Sequence, residues 1–425
     1  MSDPKRVSMK IAITNRWGVF VLTSMFFLLS QFYRASMAVI SSDLIGDLGL
    51  SASDLSLLSS SFFYAFALVQ IPIGLSLDRF SPRVTMSVLS LFGVAGALCF
   101  AWAGSLNAAL AGRILLGFGM ACNLMGPFKL LTLWFGPAQF ASLTTVIFSI
   151  GAAGSIVSSS PLAVLVEWVG WRWAFTFIAI FHVALTAVFF LCVRDRPQQG
   201  QNAPSEPDMS ELIKGLRILF GTRDYWIISI GTFCRYGVYA AIQTLWAGPY
   251  LIYGMGLSPV QAGNIILVLN VAFIIAGPLC GAFSDRIQLR KGVILAGFLG
   301  MGLTLVILSL QPSGASIPML VVLFAAFGAT GSTGGIMYTH IKERMPAYLA
   351  GTAMTGVNLF TMIGAAFFVH GLGFIMEKRY AAESLGLAAF RMSFLLCAAC
   401  IGIVFILYLF TRENQKKANA NDRQL

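Results

Sequence analysis

Long apolar runs recur along the chain at 17–40, 54–77, 85–104, 108–135, 142–164, 172–193, 225–251, 261–283, 292–310, 317–339, 350–376 and 392–411. Short polar segments separate them. A helix of about 20 residues crosses the roughly 30 Å hydrocarbon layer of a bilayer. Only helices and closed barrels satisfy their backbone groups there, and these runs lack the period-2 alternation of barrel strands. The pattern predicts an all-α membrane protein of twelve transmembrane helices. Residues 1–16 are polar and basic, and the run from Trp17 is too long for a signal core, so no cleavable signal is expected.

The polar segments divide the chain in two. The longest of them, between spans six and seven, opens with Arg194-Asp195-Arg196-Pro197 and runs on through Gln, Asn, Pro and Ser, a flexible linker by composition. The expected division is an N-terminal six-helix bundle over 1–196, a cytoplasmic linker over 197–222 and a C-terminal six-helix bundle over 223–425. Two turns repeat across that division. Gly74-x3-Asp78-Arg79-x3-Arg83 returns 207 residues later as Gly281-x3-Asp285-Arg286-x3-Arg290. Gly136-Pro137-Ala138 and Met345-Pro346-Ala347 match at an offset of 209. Two matches at nearly one offset indicate parallel half-repeats, a transporter architecture with its site between the halves near the midplane.

Charge sets the orientation. Of 28 Lys and Arg, twenty lie at the termini and in the even-to-odd loops, and four (Arg172, Lys378, Arg379 and Arg391) lie in the opposite loops. Both termini are therefore expected on the cytoplasmic side of the cell (inner) membrane. The net charge of +11 is accounted for in this way, without nucleic acid. The seven cysteines sit inside apolar runs, which supports neither a disulfide framework nor a metal site. No cofactor is expected. Enzyme chemistry finds no glycine-rich nucleotide loop and no nucleophile beside a base.

Four cations remain inside the spans, Arg34, Arg113, Lys129 and Arg235, and no Asp or Glu accompanies them. Intramembrane charge is costly and normally faces a bundle interior or a wet cavity. An all-cationic cavity favours an anion. Gln31 and Arg34 share a helix face. Thr232, Arg235, Tyr239 and Gln243 form one polar stripe on span seven. Spans one and seven correspond under the repeat, so two guanidinium forks could meet a phosphate or carboxylate from opposite halves. Snorkelling is the other reading of Arg34. Lys129 suits either an inner vestibule or the headgroups, and Arg113 suits a brace to backbone carbonyls. Of the three histidines, His370 is deepest in a span and is the candidate proton carrier, with hydrogen bonding across helices as its plainer role.

The doubled Gly-x3-Asp-Arg-x3-Arg turn, with Arg113-x3-Gly117-x-Gly119 on span four, resembles the signatures of the major facilitator superfamily over essentially the whole chain. The resemblance implies gating by Gly74, Asp78, Arg79, Arg83, Gly281, Asp285, Arg286 and Arg290. There the glycines allow close helix approach, the Asp residues cap neighbouring helices and the arginines pair across the cytoplasmic seam. Tyr33-Arg34 and Arg235-Tyr236-Gly237 are similar to the organophosphate:phosphate antiporters, whose first- and seventh-helix arginines bind phosphate. The chain departs from them in lacking a helix-five histidine and in having Ala35 where they have lysine. Lys129 resembles the helix-four basic residue of the anion:cation symporters, which keeps a carboxylate open.

The expected function is secondary active transport of a small organic anion (an organophosphate or sugar phosphate, or a carboxylate) by rocking of the halves. Gln31, Arg34, Lys129, Arg235, Tyr239 and Gln243 are the candidate ligands. The expected partners are the anion, the lipid bilayer and a counter-ion, phosphate or proton, with the protein a monomer. Import is expected, since span five lacks the Gly-Pro-x-x-Gly-Gly of drug exporters. The alternatives are a proton-coupled symporter of a carboxylate or other metabolite, a multidrug or zwitterion transporter, and a non-transporting membrane sensor.

Overall fold

A computed structural model describes residues 15–135, 137–195, 217–345, 350–380 and 383–413. Among them every regular element is helical. Among the described residues, nine helical stretches are long and apolar enough to cross a membrane. The other three of the twelve spans are covered by Ala52–Leu68 with Gln70–Arg79, by Pro137–Val157, and by the helices between Arg223 and Gly254. The first is broken into two shorter helices, the second is a single helix of 21 residues, and the third carries charge. Spans five and six form one run, Ser160–Cys192 continuing Pro137–Val157, and they separate at Gly170, whose φ of 77° is a left-handed conformation that glycine adopts freely. Of the predicted linker, only 217–222 falls among the described residues, and 217–221 are helical.

Proline explains where most spans break. It has no N–H for the carbonyl four residues earlier, and its ring crowds that carbonyl. Span two breaks at Val69 ahead of Pro72, span four at 121–124 ahead of Pro127, and span five at 158–159 ahead of Pro161. In span seven the same omission at Pro249 coincides with two π-helical turns, Ile242–Trp246 and Tyr250–Gly254. Such turns shift side chains around the axis and recur at functional sites. Gln243 lies in the first of them. Span one instead bends at Ser36, between Arg16–Ala35 and Met37–Leu48, and span ten at Ser332–Thr333, between Ile317–Gly331 and Gly334–Arg344.

Among the described residues, the hydrogen bonds that join the halves lie on one side. The described hydrogen bonds that join spans 1–6 to spans 7–12 lie at mid-depth or toward the face away from the termini. On that far face Ser53 N donates to Glu377 Oε2 at 2.8 Å. Glycines set the closeness: a Cβ on Gly248 would lie 1.6 Å from the Ala38 carbonyl oxygen, and one on Gly373 would lie 2.4 Å from Ser56 Cβ. Toward the termini, Leu68, Leu279 and Phe283 are exposed. The conformation is sealed on the far face and parted on the face of the termini.

The turns at the terminal face correct one expectation. Asp285 pairs with Arg290 of its own turn at 2.5 Å, and Arg290 also holds Glu343 at 3.0 Å, all within one half. Among the described residues, Asp285 accepts from no helix N-terminal N–H. The carboxylates that receive helix N-terminal N–H groups are Asp195, from Arg83 N at 2.8 Å, and Glu413, from Arg290 N at 2.5 Å. These follow spans six and twelve and neutralise the positive ends of spans three and nine. A Cβ on Gly281 would meet nothing within 4 Å, so no close approach exists there in this conformation. Arg83 stacks over Phe190 at 4.5 Å, and Arg286 is exposed. The side chains of Gly74, Asp78 and Arg79 lie outside the described ones.

Candidate functional site

The bends in spans one and seven bring their polar stripes together at mid-depth. A cavity of about 60 Å³ is lined by Gln31, Arg34, Tyr239 and Gln243, together with Tyr236, Ser155, Asn270 and Phe273. Four of the six predicted ligands therefore share one wall. Arg34 is 7% exposed and does not snorkel: its Nη1 donates to the Tyr236 hydroxyl at 3.3 Å, and its guanidinium lies 5.0 Å from the Phe66 ring centre. Its Nε has no protein partner.

Arg235 lies beside the cavity, not among its lining residues. It is 4% exposed, its Nε is unpartnered, and no described protein group hydrogen-bonds it. Its guanidinium lies flat against Gly334 at the bend of span ten, where a Cβ would fall 1.8 Å from Nη1 and 2.1 Å from Cζ. Only glycine leaves that space. The Tyr338 hydroxyl is bonded to Asn358 Oδ1 at 3.1 Å and Thr361 Oγ1 at 2.9 Å. No acidic side chain lines the cavity among the described residues. A buried cation without a counter-ion is unfavourable unless a ligand completes it.

Lys129, on Met125–Trp134, is not among the lining residues. Arg113 is fully buried and donates to the carbonyls of Tyr33 at 2.8 Å and of Leu58 and Ser59 at 3.4 Å, which is a brace between spans. His370 sits in the seam of spans two and eleven, with Nδ1 3.4 Å from the Tyr64 hydroxyl and its carbonyl accepting from Ser56 Oγ. His340 bonds the Tyr408 hydroxyl at 2.7 Å and the Arg412 carbonyl at 3.1 Å. His182 is buried against Phe26 and Tyr33. A larger cavity of about 290 Å³ is walled by apolar side chains such as Leu28, Phe32, Leu162 and Phe181 and offers no charge.

Sequence spacing missed Tyr236, Tyr338, Ser155 and Thr361. Helical spacing gives a face, and the partner of that face depends on how each helix is rotated in the bundle.

The sequence profile of the Major Facilitator Superfamily matches residues 20–263 and 228–425. The chain is 22% identical over 425 residues to the "Probable sulfoacetate transporter SauU" of Cupriavidus necator, covering 95% of each protein. It is 26% identical over 358 residues to the hexuronate transporter of Bacillus subtilis, covering 76% of this chain and 83% of that one. Among solved structures it resembles a bacterial homologue of the human lysosomal transporter Spinster in an inward-facing, unoccupied conformation. The TM-score is 0.77 at 17% identity, covering 92% of this chain and 96% of that one.

Proposed function

The chain belongs to the Major Facilitator Superfamily, and on that premise we propose that it is a secondary active transporter of a small organic anion. One observation carries the reading: two buried guanidinium groups, one from each half, face mid-depth with unfilled donors and no carboxylate among the lining residues. Bidentate guanidinium forks match the planar, paired oxygens of carboxylate and the tetrahedral ones of phosphate or sulfonate. The acids named for the relatives favour a carboxylate or sulfonate over a phosphate ester.

Transport proceeds by rocking of the halves. With the termini cytoplasmic, the parted face opens inward. The anion enters between Arg34 and Arg235, and closure of the terminal face exchanges the Arg290 pairing for contacts across the seam. The glycine-lined far seal then parts. The Asp78 and Asp285 turns control the inner gate in this scheme.

Proton-coupled symport is the second reading. It draws on His370, which lies on span eleven in a seam that must open and close and meets span two of the other half through both its ring and its carbonyl. Proteoliposomes separate the two. One set holds internal phosphate with no pH gradient, and the other has an inward proton gradient. Uptake of a labelled acid or organophosphate that requires internal phosphate supports exchange. Uptake that requires the proton gradient supports symport. Binding without flux in either set would point to a sensor instead.

A further inference from the structure

Resting on the anion-cavity reading, we propose that Asn270 fixes the side chain of Gln243 so that its carbonyl oxygen serves as a hydroxyl acceptor, making the preferred cargo a hydroxylated organic acid. The orientation follows from which groups can donate. The Ser155 carbonyl can only accept, and it receives Asn270 Nδ2 at 3.0 Å. Ser159 Oγ gives its single proton to the same carbonyl at 2.7 Å, so towards Asn270 Nδ2, 2.8 Å away, it too can only accept. Both Asn270 N–H groups are thereby used on span five. Its Oδ1 is left to accept, and it takes Gln243 Nε2 at 2.9 Å.

The amide assignment of Gln243 is therefore dictated by a backbone carbonyl on the opposite half, not by the similar shapes of its O and N. Gln243 retains Oε1 and one N–H. No described protein group bonds Oε1, and Gln243 lines the cavity. A lone carbonyl oxygen repels the anionic end of a ligand, which belongs with the guanidinium groups. It suits a hydroxyl proton elsewhere on the same molecule. The relay crosses from span eight to span five, so it is assembled only while the far face is sealed.

The test uses purified full-length protein and equilibrium binding of acids matched except for hydroxyl groups: malate against succinate, D-glucarate against adipate, and isethionate against ethanesulfonate. In the best-bound pair, wild type should favour the hydroxylated acid by about tenfold or more, because its absence leaves a buried acceptor unpaired. Asn270→Leu frees Gln243 to turn, and Gln243→Leu removes the acceptor. Each should bring that ratio toward one by weakening the hydroxylated acid more than the plain one. A packing role alone would weaken both acids in parallel, and an unchanged ratio in either variant overturns the proposal. If Asn270→Leu does not fold, Gln243→Leu decides it. A wild-type ratio of one, or binding of inorganic phosphate without any acid, overturns the hydroxyl acceptor and leaves the anion cavity standing. Failure of every acid and of phosphate to bind removes both.

Discussion

Gly334→Ala should disable the site without touching a charge. The new methyl would sit 1.8 Å from Arg235 Nη1 and 2.1 Å from Cζ. Carbon and nitrogen regain ordinary contact near 3.5 Å, so the guanidinium must retreat by roughly 1.7 Å. The clash is with the end of a long side chain, and the fold can survive it. An anion that loses one charge-assisted hydrogen bond loses about 1.5–3 kcal/mol, or about 10- to 150-fold in affinity. The expected result is a KM for anion uptake raised by that factor, with a thermal midpoint within a few degrees of wild type. A double-mutant cycle isolates the cause. With Arg235 already replaced by Ala, Gly334→Ala should add nothing, because its whole effect passes through the guanidinium. A KM unchanged by Gly334→Ala, or a second effect of full size on Arg235→Ala, would refute the placement of Arg235 at the anion.

Other outcomes follow from the same contacts. Arg113→Ala should lower the thermal midpoint sharply by removing the brace to the carbonyls of Tyr33, Leu58 and Ser59 and leaving a cavity in its place, a loss on the order of 3 kcal/mol. Arg235→Ala orphans nothing and should leave the midpoint level or higher; differential scanning fluorimetry of the two compares them directly. Gly248→Ala places a methyl 1.6 Å from the rigid backbone oxygen of Ala38 and should hold the far face open. A cysteine introduced at Ser41, buried in that seal, should then react with maleimide faster than in the parent. Glu413→Gln removes the charge at the start of span nine and should cost about 0.5–1 kcal/mol, read as a lowered midpoint.

Much of this architecture was legible in the residues. The twelve runs, the repeated turn and the four buried cations follow from hydropathy and charge alone. Gln31 with Arg34, and Tyr239 with Gln243, sit together as their spacing requires. The rest depended on geometry that spacing does not hold. Asn270 reaches the site because span eight presents that face to spans seven and five. Gln243 arrives through a π-helical turn that begins after Tyr239. In this conformation Asp285 pairs with Arg290, five residues on, within its own turn. The carboxylates that do cap left a trace in the chain: Arg194-Asp195 and Arg412-Glu413 close spans six and twelve with the same basic-acidic pair.

The central claim is that Arg34 and Arg235 carry an anion across. Counterflow measures it most directly: proteoliposomes hold an excess of one unlabelled acid, and the labelled acid is offered outside. Wild type should accumulate label transiently, organic anions should compete, and neutral sugars and quaternary ammonium ions should not. Arg34→Ala and Arg235→Ala should each abolish the overshoot while the proteins remain folded. An overshoot of wild-type size in either variant, or competition by cations equal to that by anions, would contradict it.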